Sequence, residues 1–291
     1  MYIPFCSTAS RANEYQADWE GEGFDRPTMS LPPNIDDLIT RVLKAAPNTI
    51  IVNQSGTPIS MPWEPLASSL VQAWYGGNET GNGIADVLFG DFNPCAKLPL
   101  SWPGDIRDTP AFLNFGSTKG RVLYGEDVYL GYKYYDKVER QPLFGFGYVN
   151  FLNSFQDDAD NDRYGLSYTK FALSNLTIVT NPQKGDMATV RVKNTGKVAG
   201  SEILQLYISA PNSPTQRPVR ELHGFEKVFL RPGEERLVRV SIDKYATSFW
   251  DEDEEKWCSE QGIYTVTVNG SNGSKVEADL KVASTTYWLG L

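Results

Sequence analysis

Histidine is almost missing from this chain of 291 residues, where His223 is the only one. A histidine-built metal site or a Ser-His-Asp triad is therefore excluded unless that single residue carries it. Cysteine is nearly as scarce. Cys6, Cys95 and Cys258 are odd in number and follow no motif spacing, which argues against a disulfide framework and against zinc and leaves at most one bridge. Positive charge is in deficit, with 27 Lys and Arg against 36 Asp and Glu and a net charge of −9. That balance disfavours nucleic acid and anionic membrane surfaces as partners, since both call for basic patches. No run approaches the roughly 20 apolar residues of a membrane span. The opening Met1-Tyr-Ile-Pro-Phe-Cys6 has neither the basic start nor the apolar length of a signal peptide.

What is present fits a soluble globular chain with two domains as the expectation from length. Hydrophobic residues make up 41% and charged residues 22%, with 15 Tyr and 7 Trp. So many aromatics suit either a carbohydrate-handling surface or an all-β core. Sequons at Asn53, Asn78, Asn175, Asn269 and Asn272 permit glycosylation if the protein is exported, and the compartment stays open.

One stretch stands apart: Asp18-Trp19-Glu20-Gly21-Glu22-Gly23-Phe24-Asp25-Arg26. Two carboxylates alternate with glycines, which rule out a helix interior, and an aromatic flanks each side. An exposed loop presenting a glutamate between flat faces suits a sugar ring, which stacks on aromatics while a carboxyl group reaches the glycosidic oxygen. An acidic surface loop flanked by core aromatics fits the same residues.

Downstream, Leu31-Pro-Pro33 leads into an expected helix with Asn34 as N-cap, Asp36 and Asp37 at its positive end, and Arg41 and Lys44 at its negative end. Ile35, Leu38, Ile39, Val42, Leu43 and Ala46 form its apolar stripe. Thr49-Ile-Ile-Val52 and Leu70-Val-Gln-Ala-Trp74 read as strands, residues 82–89 as a short helix, and Leu98-Pro-Leu-Ser101 as a further short strand. The alternation predicts an α/β unit with a mostly parallel sheet, too small to be complete on its own. The glycine-rich turn 76–83 follows a strand and opens a helix. It lacks the lysine and the spacing of either nucleotide fingerprint, so it reads as a plain connection.

Residues 104–167 read as a linker. Within it, Tyr124-Gly-Glu-Asp-Val-Tyr-Leu-Gly-Tyr-Lys-Tyr-Tyr-Asp136 would either line a sugar cleft or tie one domain to the next through tyrosine hydroxyls. Asp158, Asp160 and Asp162 alternate as in a calcium loop, but Arg163 and Thr169 stand where that pattern needs Gly and Glu, and a solvated acidic loop is the default. From residue 168 onward the period becomes two. Strands are expected at 188–193, 202–209, 224–230, 236–242, 264–268 and 276–282, and about seven short strands make an immunoglobulin-like β-sandwich. His223 begins one of them as an ordinary packing or surface residue.

With those segments in place, the chain resembles the C-terminal portion of glycoside hydrolase family 3, the fungal-type β-glucosidases. The resemblance runs through residues 20–26, 48–63, 70–103, 120–136, 142–144, 164–169 and 217–230 to the closing Tyr287-Trp-Leu-Gly-Leu291. It implies the remnant of an α/β sandwich domain over residues 1–103, the linker with its acidic insert, and a fibronectin type III-like domain over 168–291. The implied chemistry is retaining hydrolysis of β-glucosides or gluco-oligosaccharides with no cofactor or metal. Glu22 matches the family's general acid/base, with Glu20 as the second choice, and Phe24 matches an aromatic position beside the sugar. The attacking aspartate belongs to a barrel absent from these 291 residues. Retaining chemistry needs its two carboxyl groups about 5–5.5 Å apart on opposite sides of one sugar, which Glu20 and Glu22 in one loop do not provide. Nothing in the spacing supports Asp25, Glu126 or Asp127 as a substitute.

The chain is therefore expected to be inactive alone, and a non-catalytic carbohydrate-binding or scaffold module is the competing expectation. Secretion, common in the family, and oligomeric state are left open. Two departures from the family stand out. Cys95 replaces a serine. About sixteen extra residues, 148–163, separate Phe146-Gly147 from Tyr164-Gly-Leu-Ser-Tyr168; a true loop extension and an unremoved intron would each produce them.

Overall fold

A computed structural model describes residues 2–4, 26–116, 119–148, 167–180, 185–210, 213, 215–271 and 273–290. These fall into two compact units. The first takes the chain up to Phe92 together with Trp102–Phe112, and the second takes Asn93–Ser101 and everything from Leu113 onward.

The first unit is α/β. Strands β1 (Tyr2–Pro4), β2 (Ile50–Gln54) and β3 (Ser69–Gln72) form a parallel sheet in that order. Helix α1 (Ile35–Ala45) connects the first two and α2 (Thr80–Phe89) follows the third. The expected helix is present, but Asn34 does not cap it. Its backbone lies in the left-handed region at φ 70° and its side chain makes no capping bond, so it serves as the turn out of Pro32-Pro33. Only Ile39 and Leu43 of the expected stripe are buried, and α2 buries none of its apolar residues. The core gathers instead around Ile51, Ile59, Trp63 and Trp102, all close to fully buried. Each indole finds a partner as burial demands: Trp63 Nε1 donates to Asp36 at 2.9 Å and Trp102 Nε1 to the Ile59 carbonyl at 2.8 Å.

The second unit holds a seven-stranded sandwich. Strands β4 (Phe171–Val179), β5 (Asp186–Asn194), β6 (Gly200–Ser209), β7 (Glu221–Leu230) and β8 (Glu235–Ile242) are joined by β11 (Gly262–Asn269) and β12 (Lys275–Val282). One sheet runs β12-β11-β6-β7, the other β4-β5-β8, and both are antiparallel. Alternate residues point inward, so Val190, Val192, Leu204, Leu206, Leu230, Val266 and Val268 meet in one core with no exposure. Each such side chain contributes about 1.5–3 kcal/mol relative to an exposed one.

A small antiparallel sheet, β9 (Ser248–Asp251), β10 (Lys256–Ser259) and β13 (Thr286–Trp288), adds to the sandwich. The expected strand at 98–101 is not one. Pro99 has no amide proton to offer a ladder, and the Leu98 carbonyl accepts from Gly147 N at 2.9 Å outside any strand. Gly147 has φ 66°, a left-handed conformation that glycine takes without strain.

Candidate active site

Glu20, Glu22 and Phe24, with Trp19 and Asp25, lie outside the described residues, as do Cys6 and residues 149–163 of the acidic insert. What is described is the frame on which that loop ends. Arg26 donates through Nη1 to Thr57 Oγ1 at 2.9 Å and through Nη2 to the Ser30 carbonyl at 3.3 Å. Thr57 lies just beyond the carboxyl end of β2, the edge at which open parallel sheets hold their ligands.

A buried polar cluster stiffens that edge. Asn53, with no exposure, donates to Ser55 Oγ at 2.9 Å and to the side-chain carbonyl of Gln72 on β3. Gln72 Nε2 donates to the Ser55 carbonyl at 3.0 Å, and Ser55 Oγ to the Thr57 carbonyl at 2.8 Å. Two strand ends and the turn after β2 thus form one network, in which each bond contributes about 1 kcal/mol and fixes geometry as well. Trp74, two residues past β3, has φ 51°, a conformation that strains a bulky residue, and its ring lies 6.1 Å from that of Trp102. On α1, burial raises the Asp36 pKa, and the Trp63 hydrogen bond opposes that rise.

In the second unit the tyrosine-rich segment packs on the sandwich. Helix α3 (Tyr132–Lys137) brings Asp136 to Arg220, with Oδ2 at 2.7 Å from Nε and Oδ1 at 3.3 Å from Nη2. The Arg220 guanidinium lies 4.6 Å from the Tyr207 ring centre and 5.7 Å from that of Tyr132. Tyr132 Oη accepts from Leu222 N at 2.8 Å, and Lys133 pairs with Glu221 at 2.7 Å. Desolvation pushes the Tyr207 hydroxyl pKa far up. The Tyr132 hydroxyl ties this segment to the sandwich inside the second unit, whereas the expected tie was from one domain to the next. Tyr124, at 86% exposure, takes no part in it.

His223 is half-buried, with Nε2 inaccessible and without a hydrogen-bond partner among the described residues, and burial lowers its pKa. Cys95 and Cys258 are free thiols. Among the described residues no three of His, Cys, Asp and Glu converge on a metal position. Asn53 and Asn269 are buried at 0% and 1% exposure, which removes both as glycan acceptors, whereas Asn78 and Asn175 are exposed.

Comparison with known proteins accounts for both units. The model of the "Glycosyl hydrolase family 3 C-terminal domain" matches residues 5–132, and that of the "Fibronectin type III-like domain" matches residues 202–272. The chain belongs to glycosyl hydrolase family 3, as its C-terminal portion. It is 56% identical over 280 residues to probable beta-glucosidase H of Aspergillus flavus, covering 94% of this chain and 32% of that protein. A solved beta-glucosidase of Kluyveromyces marxianus in complex with glucose superposes with a TM-score of 0.83 at 48% identity, over 94% of this chain and 31% of the other. The GH3 beta-glucosidase of Bifidobacterium adolescentis superposes with a TM-score of 0.81 at 32% identity, over 90% and 37%. The chain thus spans about a third of the length of the family 3 relatives it matches. Its architecture is the family's α/β element followed by the β-sandwich, and the fibronectin match begins in β6 and extends just past β11.

Residue reasoning passed over Arg26, although its position directly after Phe24-Asp25 was a usable signal. A guanidinium is a natural clamp for the end of a glycine-rich loop.

Proposed function

We propose that this chain provides the acid/base half of a retaining β-glucosidase. Glu22 serves as general acid and then general base, with Glu20 as the alternative, and Phe24 lies beside the sugar. The observation that carries this reading is the anchoring of Arg26 at the carboxyl end of β2. Glu22 is four residues upstream, so chain length keeps the two Cα atoms within about 14 Å. That distance keeps Glu22 in the neighbourhood of the sheet edge at which a sugar would bind.

In the first half-reaction Glu22, protonated, gives its proton to the glycosidic oxygen as the bond to the anomeric carbon breaks. In the second, its carboxylate takes a proton from water attacking the glycosyl intermediate. A protonated starting state requires a raised pKa, which burial of the loop against substrate would supply. The nucleophilic carboxylate that forms that intermediate comes from outside these 291 residues. Terminal β-D-glucosyl groups are the proposed substrates, in keeping with the names of the relatives.

The test has two parts. Purified chain is expected to release no nitrophenol from nitrophenyl β-glucoside. The same residues, exchanged for the corresponding third of the Aspergillus flavus relative, are expected to give an active enzyme. Turnover by the chain alone, abolished by Glu22→Gln, would overturn the division of labour. An inactive but folded chimera that still binds glucose would favour a non-catalytic carbohydrate module.

A further inference from the structure

The second unit carries an open cleft of about 340 Å³, lined by residues including Ser213, Glu260, Gln261, Ile263, Thr285 and Tyr287. All are far in sequence from the loop that bears Glu22. We propose that this cleft is a second carbohydrate site, which holds one or two units of a gluco-oligosaccharide against the β-sandwich. The choice of ligand class rests on the β-glucosidase reading, while the cleft itself does not.

Three features of the cleft support a sugar ligand. The first is an aromatic surface left partly open. Tyr287 of β13 is 48% exposed although it sits in register with the buried Cys258 of β10. Its side chain stands beside that of Cys258 across the β10–β13 pair and stays half open to solvent. Such a half-exposed ring presents its negative face to the C–H groups of a pyranose.

The second feature is planar polar groups beside that ring. One oxygen of Glu260 accepts from Ser213 Oγ, and the other takes no hydrogen bond among the described residues. The neighbouring Gln261 donates its backbone N–H to Thr285 Oγ1 at 3.0 Å, and its exposed side-chain amide makes no hydrogen bond among the described residues. A carboxylate and an amide side by side match the donor and acceptor pattern of vicinal sugar hydroxyls.

The third feature is size and shape. The volume is at the small end for ligand pockets, enough for a monosaccharide unit or two, and the open side lets a longer chain continue into solvent. Ile263, 55% exposed, adds an apolar patch at the margin.

Calorimetric titration of the full chain with cellotetraose tests this, using Glu22→Gln/Glu20→Gln as background so that the loop site cannot contribute through its carboxyls. Saturable binding is expected, weakened at least about tenfold by Tyr287→Ala and by Glu260→Gln/Gln261→Ala. Tyr287→Phe, which keeps the ring, is expected to retain it, separating loss of the stacking surface from loss of the fold. No binding in this background, or binding unchanged in Tyr287→Ala, would overturn the proposal. Neither result bears on hydrolysis by the chimera, so the two readings fail separately.

Discussion

Replacing Lys97 by Met puts the tie between residues 93–101 and the sandwich under direct test. Glu202, at the start of β6, has no side-chain exposure and is surrounded by donors. Lys97 Nζ reaches Oε1 at 3.0 Å and Ser271 Oγ at 2.7 Å. Ser271 Oγ and Ile203 N donate to Oε1, each at 2.9 Å, and Ser271 N to Oε2 at 3.0 Å. Lys97→Met keeps most of the apolar stem and deletes the one cation that pairs with this carboxylate among the described residues. Losing one partner of a buried pair costs about 3–5 kcal/mol. Three donors remain on Glu202, so the lower end, about 3 kcal/mol, is expected. With a urea m-value of about 1–3 kcal/mol/M, the midpoint of the second unit's transition should fall by about 1–3 M. Near-UV circular dichroism of the full chain reads this, because most of the tyrosines and tryptophans of the described residues lie in that unit. Lys97→Met/Glu202→Leu should cost less than the two single changes added together, by about 0.5–3 kcal/mol. A midpoint shift below about 0.3 M at unchanged slope, or strict additivity, would refute the reasoning by showing that the pair is solvated.

His223 gives a pH prediction. Burial depresses its folded pKa below the ordinary 6.5, with Glu221 and Asp243 partly restoring it and Arg217 and Lys133 opposing them. The unfolded chain therefore takes up a proton that the native chain refuses. The contribution is fully present above pH 6.5 and is lost as pH falls from there toward the folded value. His223→Gln should flatten the stability profile in that window, and an unchanged slope in paired urea melts would contradict it. Trp63→Ala, at 1% exposure and bonded to Asp36, is expected to cost the first unit about 3–5 kcal/mol and to abolish its cooperative thermal transition, with the second unit's transition unmoved.

The sandwich was legible in the sequence because its strands alternate cleanly: Val190 and Val192, or Val266 and Val268, point one way and their neighbours the other. The strand Phe171–Val179 was harder to see. Its pairing slips between Ser174 and Thr177, where Asn175 turns left-handed at φ 54°, and the extra residue breaks the period of two. Strands β9, β10 and β13, of three or four residues each, are too short to show any period. The opposite error at 98–101 came from reading apolar residues as a strand when Pro99 and the commitment of Lys97 to Glu202 dictate an irregular segment. In the first unit, α1 was visible from its stripe, but the stripe did not reveal that Leu38 stays 47% exposed. The candidate acid stood out as a glutamate between glycines and aromatics. Choosing Glu22 over Glu20 required the family resemblance, because spacing alone treats the two alike.

The most direct measurement of the central claim is the leaving-group dependence of hydrolysis by the chimera that carries these residues. Loss of the general acid penalises a poor leaving group by about 10²–10⁴ and a good one far less. Glu22→Gln should therefore lower kcat/KM steeply for an alkyl β-glucoside and only slightly for a dinitrophenyl β-glucoside, with Glu20→Gln affecting both little. A steep dependence in Glu20→Gln, or equal losses on both substrates in Glu22→Gln, would contradict the assignment.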